Sequence, residues 1–193
     1  MSKFLSRILL NTWGWEVEGS KPALDRYVLI MAPHTSRYDA LPLLTAGRVL
    51  DIPINWMVAK DAVRGPLGPL VRQLGAITVD RSRSESLVDT MVTEFANRES
   101  LVLAIAPMGV TRYSDHWRSG FYHIATQANV PFVFSYLDWG KKRLGIGPTY
   151  MPTGDVSADM DVIRAFYSDK TGKFPENKSK IYLKMEAANA TTE

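Results

Sequence analysis

The sequence contains no cysteine, no long hydrophobic run and almost no excess of either charge. Without cysteine there is no disulfide framework, no thiol nucleophile and no thiolate zinc site. The longest apolar runs, Val28 to Pro33 and Leu101 to Pro107, fall well short of the ~18 residues a membrane-spanning helix needs. Lys+Arg number 23 against 20 Asp+Glu, a net +3 with both signs interspersed. That pattern lacks the dense basic stripe of a nucleic-acid binder. The glycine fingerprints Gly-x-Gly-x-x-Gly and Gly-x4-Gly-Lys-Ser/Thr are absent, so dinucleotide and NTP binding have no usual motif. Ser36 lies outside any Gly-x-Ser-x-Gly elbow, which argues against an α/β-hydrolase. His116 and His123 have no companion carboxylates at ligand spacing, so no metal site is expected.

What is present suits one folded domain: 193 residues, 46% apolar and 22% charged. The first residues lack both the apolar stretch and the small-residue cleavage site of a processed leader. Phe4, Leu5, Ile8, Leu9 and Trp13 recur at helical spacing, with Lys3 and Arg7 off that stripe. Such a helix either covers a core or lies in a membrane interface with its cations toward anionic headgroups. The expected organisation is an amphipathic helix within residues 1–18, a domain over 19–176 and a weakly ordered tail over 177–193.

Short apolar segments alternate with helical ones. Strands are expected at Tyr27 to Ala32, Ile54 to Ala59, Ala76 to Val79, Leu101 to Ala106, Pro131 to Tyr136 and Leu144 to Ile146. Helices are expected at Asp39 to Leu50, Pro69 to Leu74, Ser84 to Arg98, Trp117 to Ala128 and Ala158 to Tyr167. The fold class is therefore α/β: one domain with a mixed, mainly parallel sheet flanked by helices.

Three strand ends carry candidate chemistry, and loops at the carboxyl ends of parallel strands are where such folds place ligands. The first is Ala32-Pro33-His34-Thr35-Ser36-Arg37-Tyr38-Asp39. A histidine and a carboxylate across a loop-to-helix junction can form a base and its orienter. Equally, Asp39 could serve only the first turn of the following helix. The second is Gly75-Ala-Ile-Thr-Val-Asp80-Arg81-Ser-Arg83, where guanidinium groups could hold a phosphate, with Lys60 and Arg64 extending the positive lining. A solvated turn with Asp80 paired to Arg81 is the alternative. The third is Pro107-Met108-Gly109-Val110-Thr111-Arg112, a glycine loop whose N–H groups could meet an anion.

In this order and spacing, the three elements resemble the 1-acyl-sn-glycerol-3-phosphate acyltransferase family, the glycerolipid acyltransferases, and in particular its small bacterial members. The likeness runs over roughly residues 10 to 170. It rests on Pro33-His34-Thr35-Ser36-x-x-Asp39 as the family's H-x4-D motif, and on Lys60 to Pro69 followed by Gly75-x-Ile77-x-x-Asp80-Arg81. Trp117-Arg-Ser-Gly120-Phe-Tyr-His-Ile-Ala125 and Val130-Pro131 resemble the segment that ends in the family's fourth block.

The resemblance implies acyl transfer from a thioester, acyl-CoA or an acyl-carrier protein, to the hydroxyl of a lysophospholipid or glycerol-phosphate-like acceptor. His34 would be the general base and Asp39 its orienter. Ser36, Lys60, Arg64, Asp80, Arg81, Met108, Gly109, Thr111 and Arg112 would line the substrates, with Arg81 on the acceptor's phosphate. No cofactor, metal or nucleic acid is implied. The location would be cytoplasmic, peripheral to the membrane, and the stripe on the first helix then reads as interfacial. The third block departs from the family's Pro-Glu-Gly-Thr-Arg, because Met108 stands where the acid is expected. Two explanations follow: an acceptor with a less polar head, or a binding protein of the same fold with weakened catalysis.

Overall fold

The computed structural model describes residues 2–65, 68–79 and 84–189. Seven strands form one sheet: β1 (Glu16–Glu18), β2 (Arg26–Ala32), β3 (Ile54–Ala59), β4 (Ala76–Val79), β5 (Leu101–Ile105), β6 (Phe132–Asp138) and β7 (Arg143–Tyr150). Their order is β1-β7-β6-β2-β5-β3-β4. Every neighbouring pair is parallel except β6 with β7, which run antiparallel. The helices are α1 (Lys3–Thr12), α2 (Ala40–Val49), α3 (Gly68–Gln73), α4 (Ser84–Asn97), α5 (Gly120–Ala128), α6 (Val156–Tyr167) and α7 (Lys184–Asn189).

Side chains alternate across the central strands with the two-residue period of a pleat. Val28 and Ile30 of β2 and Leu101 and Leu103 of β5 point into a core with Met91 and Phe95 of α4, Phe121 and Ile124 of α5 and Ile163 of α6. Tyr27 and Leu29, with Val102 and Ala104, face the opposite side, toward Ile52. There α1 and α2 close the layer through Leu10, Trp15, Ala46 and Val49. Helices thus cover both faces, which is why the central strands read as unbroken apolar runs.

Three expectations are corrected. The final strand extends to Tyr150 and hairpins back onto β6, and the three-residue β1 joins it at the sheet edge. Helix α5 starts at Gly120 rather than Trp117, because the Trp117 N–H donates to Tyr182 O at 2.7 Å and the residue bridges to Leu183. Between residues 178 and 189 the chain is packed rather than loose. Leu183 is buried, the Ser179 hydroxyl accepts the Ser114 N–H at 3.0 Å, and Glu186 pairs with Arg164 at 2.7 Å.

Only part of α1 faces inward. Ser6 and Leu10 are buried, whereas Phe4, Leu5, Ile8 and Trp13 are exposed, Phe4 by 73%. Leu41 and Leu44 of α2, on which α1 packs, are exposed as well. Among the described residues no helix is long and apolar enough to cross a membrane.

Candidate active site

Parallel pairing brings the carboxyl ends of β2, β5, β3 and β4 to one edge of the sheet. The chain leaves β2 through a cis Ala32–Pro33 peptide and reaches His34. Ser36 to Asp39 then forms a capping box on a 3-10 turn: the Ser36 hydroxyl accepts the Tyr38 N–H at 3.1 Å, and Asp39 accepts the Ser36 N–H at 3.0 Å. The sequence Ser-x-x-Asp therefore fixes the loop locally. It also turns the Asp39 carboxylate back toward the strand end.

There the carboxylate, fully buried, collects donors. Oδ2 accepts from His34 Nδ1 at 3.1 Å and from the Thr35 and Ser36 N–H groups at 3.0 Å each. Oδ1 accepts the Trp139 indole N–H at 2.9 Å. This set matches the roughly four lone-pair sites of an ionised carboxylate. An ionised acceptor obliges His34 Nδ1 to carry the ring proton, leaving Nε2 as the basic nitrogen. Among the described residues Nε2 has no hydrogen-bond partner, and the side chain remains 22% exposed. His34 and Asp39 are thus brought together, as the motif suggested.

The loop is anchored from outside too. Thr35 Oγ1 accepts the Phe174 N–H at 3.1 Å. Gly172 lies so close that a Cβ there would fall 2.5 Å from that oxygen. The segment after α6 therefore presses on the dyad loop, and only glycine permits the approach.

Behind His34 lies a small cavity of about 10 Å³, shared with Met108, Trp117 and Tyr167. That volume holds about one water. Met108 is buried among apolar neighbours, and its thioether offers only a weak acceptor. Lys178 also lines the cavity, but its ammonium donates to the Tyr167, Ser168 and Lys170 carbonyls at 3.2, 2.8 and 2.8 Å. It closes the end of α6 and is not free for an anion, and burial pushes its pKa down. A larger groove of about 450 Å³ runs between Leu44, Ile54, Trp56 and Leu74. It sits at the amino ends of β3 and β4, away from His34.

The other expected residues are placed unevenly. Ser36 is buried, and its hydroxyl is committed to the cap. Lys60 starts a 3-10 turn at the end of β3, two strands from β2 in the sheet order and so ~10 Å aside. The Arg64 guanidinium pairs with Asp61 at 2.7 Å in solvent rather than turning to the dyad. Asp80 and Arg81 lie outside the described residues. Gly109 ends the turn after β5 with φ of +67°, where a Cβ would come 2.7 Å from Arg118 Nε. Thr111 is half-buried and Arg112 exposed. Two neighbours escaped the sequence reading. Arg118 lies over Gly109 and is exposed, and Trp139 reaches Asp39 from 100 residues away. The conjunction Trp117-Arg118 beside the glycine loop could have flagged the first; no local pattern flags the second.

A family model described as Acyltransferase matches residues 15–136, more than half of the chain, and spans the dyad loop and the strands around it. The chain belongs to the acyltransferase family. Among solved structures, the 1-acyl-sn-glycerophosphate (LPA) acyltransferase PlsC of Thermotoga maritima is similar, with a TM-score of 0.55 at 14% identity. The alignment covers 86% of this chain and 73% of that one. This likeness supports the same single-domain fold, a mostly parallel sheet flanked by helices. Comparison with curated protein sequences finds no match.

Proposed function

We propose that this acyltransferase moves a fatty acyl group from a thioester donor, acyl-CoA or acyl-carrier protein, to the hydroxyl of a lysophospholipid or glycerol-phosphate-like acceptor. The observation that carries this reading is the His34–Asp39 pair, with Nδ1 tied to a buried carboxylate and Nε2 unpartnered among the described residues at the sheet edge. Nε2 takes the acceptor's hydroxyl proton as the oxygen attacks the thioester carbonyl. Asp39 stabilises the resulting imidazolium. The C–S bond then breaks, and the imidazolium returns its proton to the leaving thiolate. General base catalysis of this kind contributes ~10²–10⁴-fold.

The acceptor's phosphate suits the cations at the strand ends, Lys60 and Arg118, and the family resemblance adds Arg81. The exposed Phe4, Leu5, Ile8 and Trp13, continued by Leu41 and Leu44, support a peripheral seat on the cytoplasmic membrane surface. An apolar patch on two packed helices favours an interface, at ~0.8 kcal/mol for each CH2 buried. Arg7 is exposed for anionic headgroups, but Lys3 is engaged with Asp51 and contributes less than the sequence alone suggested. The buried thioether of Met108 favours an acceptor head less polar than a carboxylate-lined site would take, or a binding protein with little turnover.

The test incubates purified protein with acyl-CoA or acyl-carrier donors and a panel of lyso-acceptors, read by lipid mass spectrometry. Acyl transfer that falls by ~10²–10⁴ in His34→Ala supports the reading. Transfer undiminished in that variant sinks the base assignment. Free fatty acid without an acceptor points to hydrolysis, and lipid binding without turnover points to the binding protein.

A further inference from the structure

Trp139 is only half-buried and belongs to no core cluster as a buried member, yet several neighbours hold it. Its backbone N–H donates to Thr171 O at 2.8 Å. The buried Asp138 caps the turn that follows, its Oδ1 accepting the Gly140 and Lys141 N–H groups at 3.0 and 3.2 Å. The Trp15 ring meets the indole edge-on, with centroids 4.9 Å apart and planes at 81°. The ammonium groups of Lys142 and Lys173 lie 4.4 and 4.7 Å from the indole ring. A side chain braced on this many sides has little freedom, so its N–H is aimed before any substrate arrives. The aim is at Asp39 Oδ1, 2.9 Å away.

The consequence follows from how the carboxylate is shared. His34 and two backbone amides all use Oδ2, and those three donors belong to the dyad's own short loop. They fix one oxygen but leave the carboxylate plane free to swing about it. Trp139 is the one described donor on Oδ1, and it comes from the β6–β7 turn, outside the loop. We infer that Trp139 is a positioning residue for the reaction: its indole N–H locks the plane of the Asp39 carboxylate and thereby the direction in which His34 Nε2 points. The inference rests on the reading of His34 as the base. Its site of action is Asp39 alone, so it affects the chemical step and leaves substrate binding untouched.

Two variants remove the N–H: Trp139→Phe, and replacement of Trp139 by benzothienylalanine, which keeps the bicyclic shape should phenylalanine impair folding. The expected result is a kcat lowered roughly 10-fold with KM unchanged and thermal stability retained. Because the effect passes through Asp39, Trp139→Phe costs little more once Asp39→Asn is present. Independently of turnover, the His34 Nδ1–H proton, followed by 15N-edited NMR, exchanges at least ~10-fold faster in the variants, since the swinging carboxylate releases it. An unchanged Nδ1–H exchange rate, or an additive double mutant, overturns the inference. Absence of turnover in the wild type with a protected Nδ1–H would fault the acyltransfer reading and leave the positioning intact.

Discussion

Asp39 and Asp159 are both fully buried carboxylates at the start of a helix, and both are saturated with donors. Asp159 accepts the Tyr122 and Tyr150 hydroxyls at 2.6 and 2.7 Å, the Thr153 hydroxyl at 2.8 Å, the Thr153 N–H at 3.0 Å and the Gly154 N–H at 3.3 Å. Burial alone would push its pKa up, but these donors prevail and hold it below the ordinary value. Every one of its partners is a hydroxyl or a backbone amide, and together they tie α5, β7 and α6 into one corner. Asp39 differs in two partners: the Trp139 indole, and an imidazole whose other nitrogen has no described partner and lies where the strands end. Burial and saturation make a carboxylate structural. A titratable partner with a free end is what turns the same arrangement toward chemistry.

The largest effects separate the two sites by substitution. Asp39→Asn presents donors to the N–H groups it now accepts and cannot stabilise an imidazolium, so acyl transfer falls by ~10²–10⁴ while the protein stays folded at assay temperature. Asp159→Asn strands buried hydroxyls and amides, costing about 2–4 kcal/mol of stability in denaturant titrations. Its kcat stays within about threefold where it is folded. An Asp159→Asn protein that is stable but inactive would break the comparison.

A smaller effect is set by pH. Burial raises Tyr27 to about 12, and hydrogen bonding to Asp159, the larger cause, together with burial raises Tyr150 to about 12; burial and then Asp159 push Tyr122 higher still. Phenols raised on folding are held neutral in the native state, while the unfolded chain ionises near pH ~10. Above that pH the unfolded state binds fewer protons, so stability present below ~10 is lost as pH rises through the native values. Urea midpoints are therefore expected to fall from about pH 10 upward, and less steeply in Tyr150→Phe. A flat profile between pH ~10 and ~12 would show that the Asp159 corner does not hold its phenols neutral.

The sheet was legible because its central strands are buried on both faces, which writes runs such as Tyr27 to Ala32 and Leu101 to Ile105 into the sequence. β1 was not, since Glu16-Val17-Glu18 is too short to show a period and exists only because β7 offers an open edge. The dyad was legible because Ser36 and Asp39 act within one turn, so their spacing is the structure. Trp139 and Asp159 were hidden for opposite reasons. Trp139 joins Asp39 through a tertiary contact with no local signature, whereas Asp159 has the pattern of any helix-start acid until Tyr122 and Tyr150 arrive. Met108 was visible as a departure from the family's acid, and its burial against His34's cavity gives that departure a location.

The central claim is that Asp39 holds His34 with its proton on Nδ1 and its base at Nε2. The 15N spectrum of the ring, recorded on the intact protein at about pH 8 where an ordinary imidazole is neutral, reads this without any substrate. The account predicts a protonated Nδ1 and a bare Nε2. A ring protonated at Nε2, with Nδ1 bare, would contradict it.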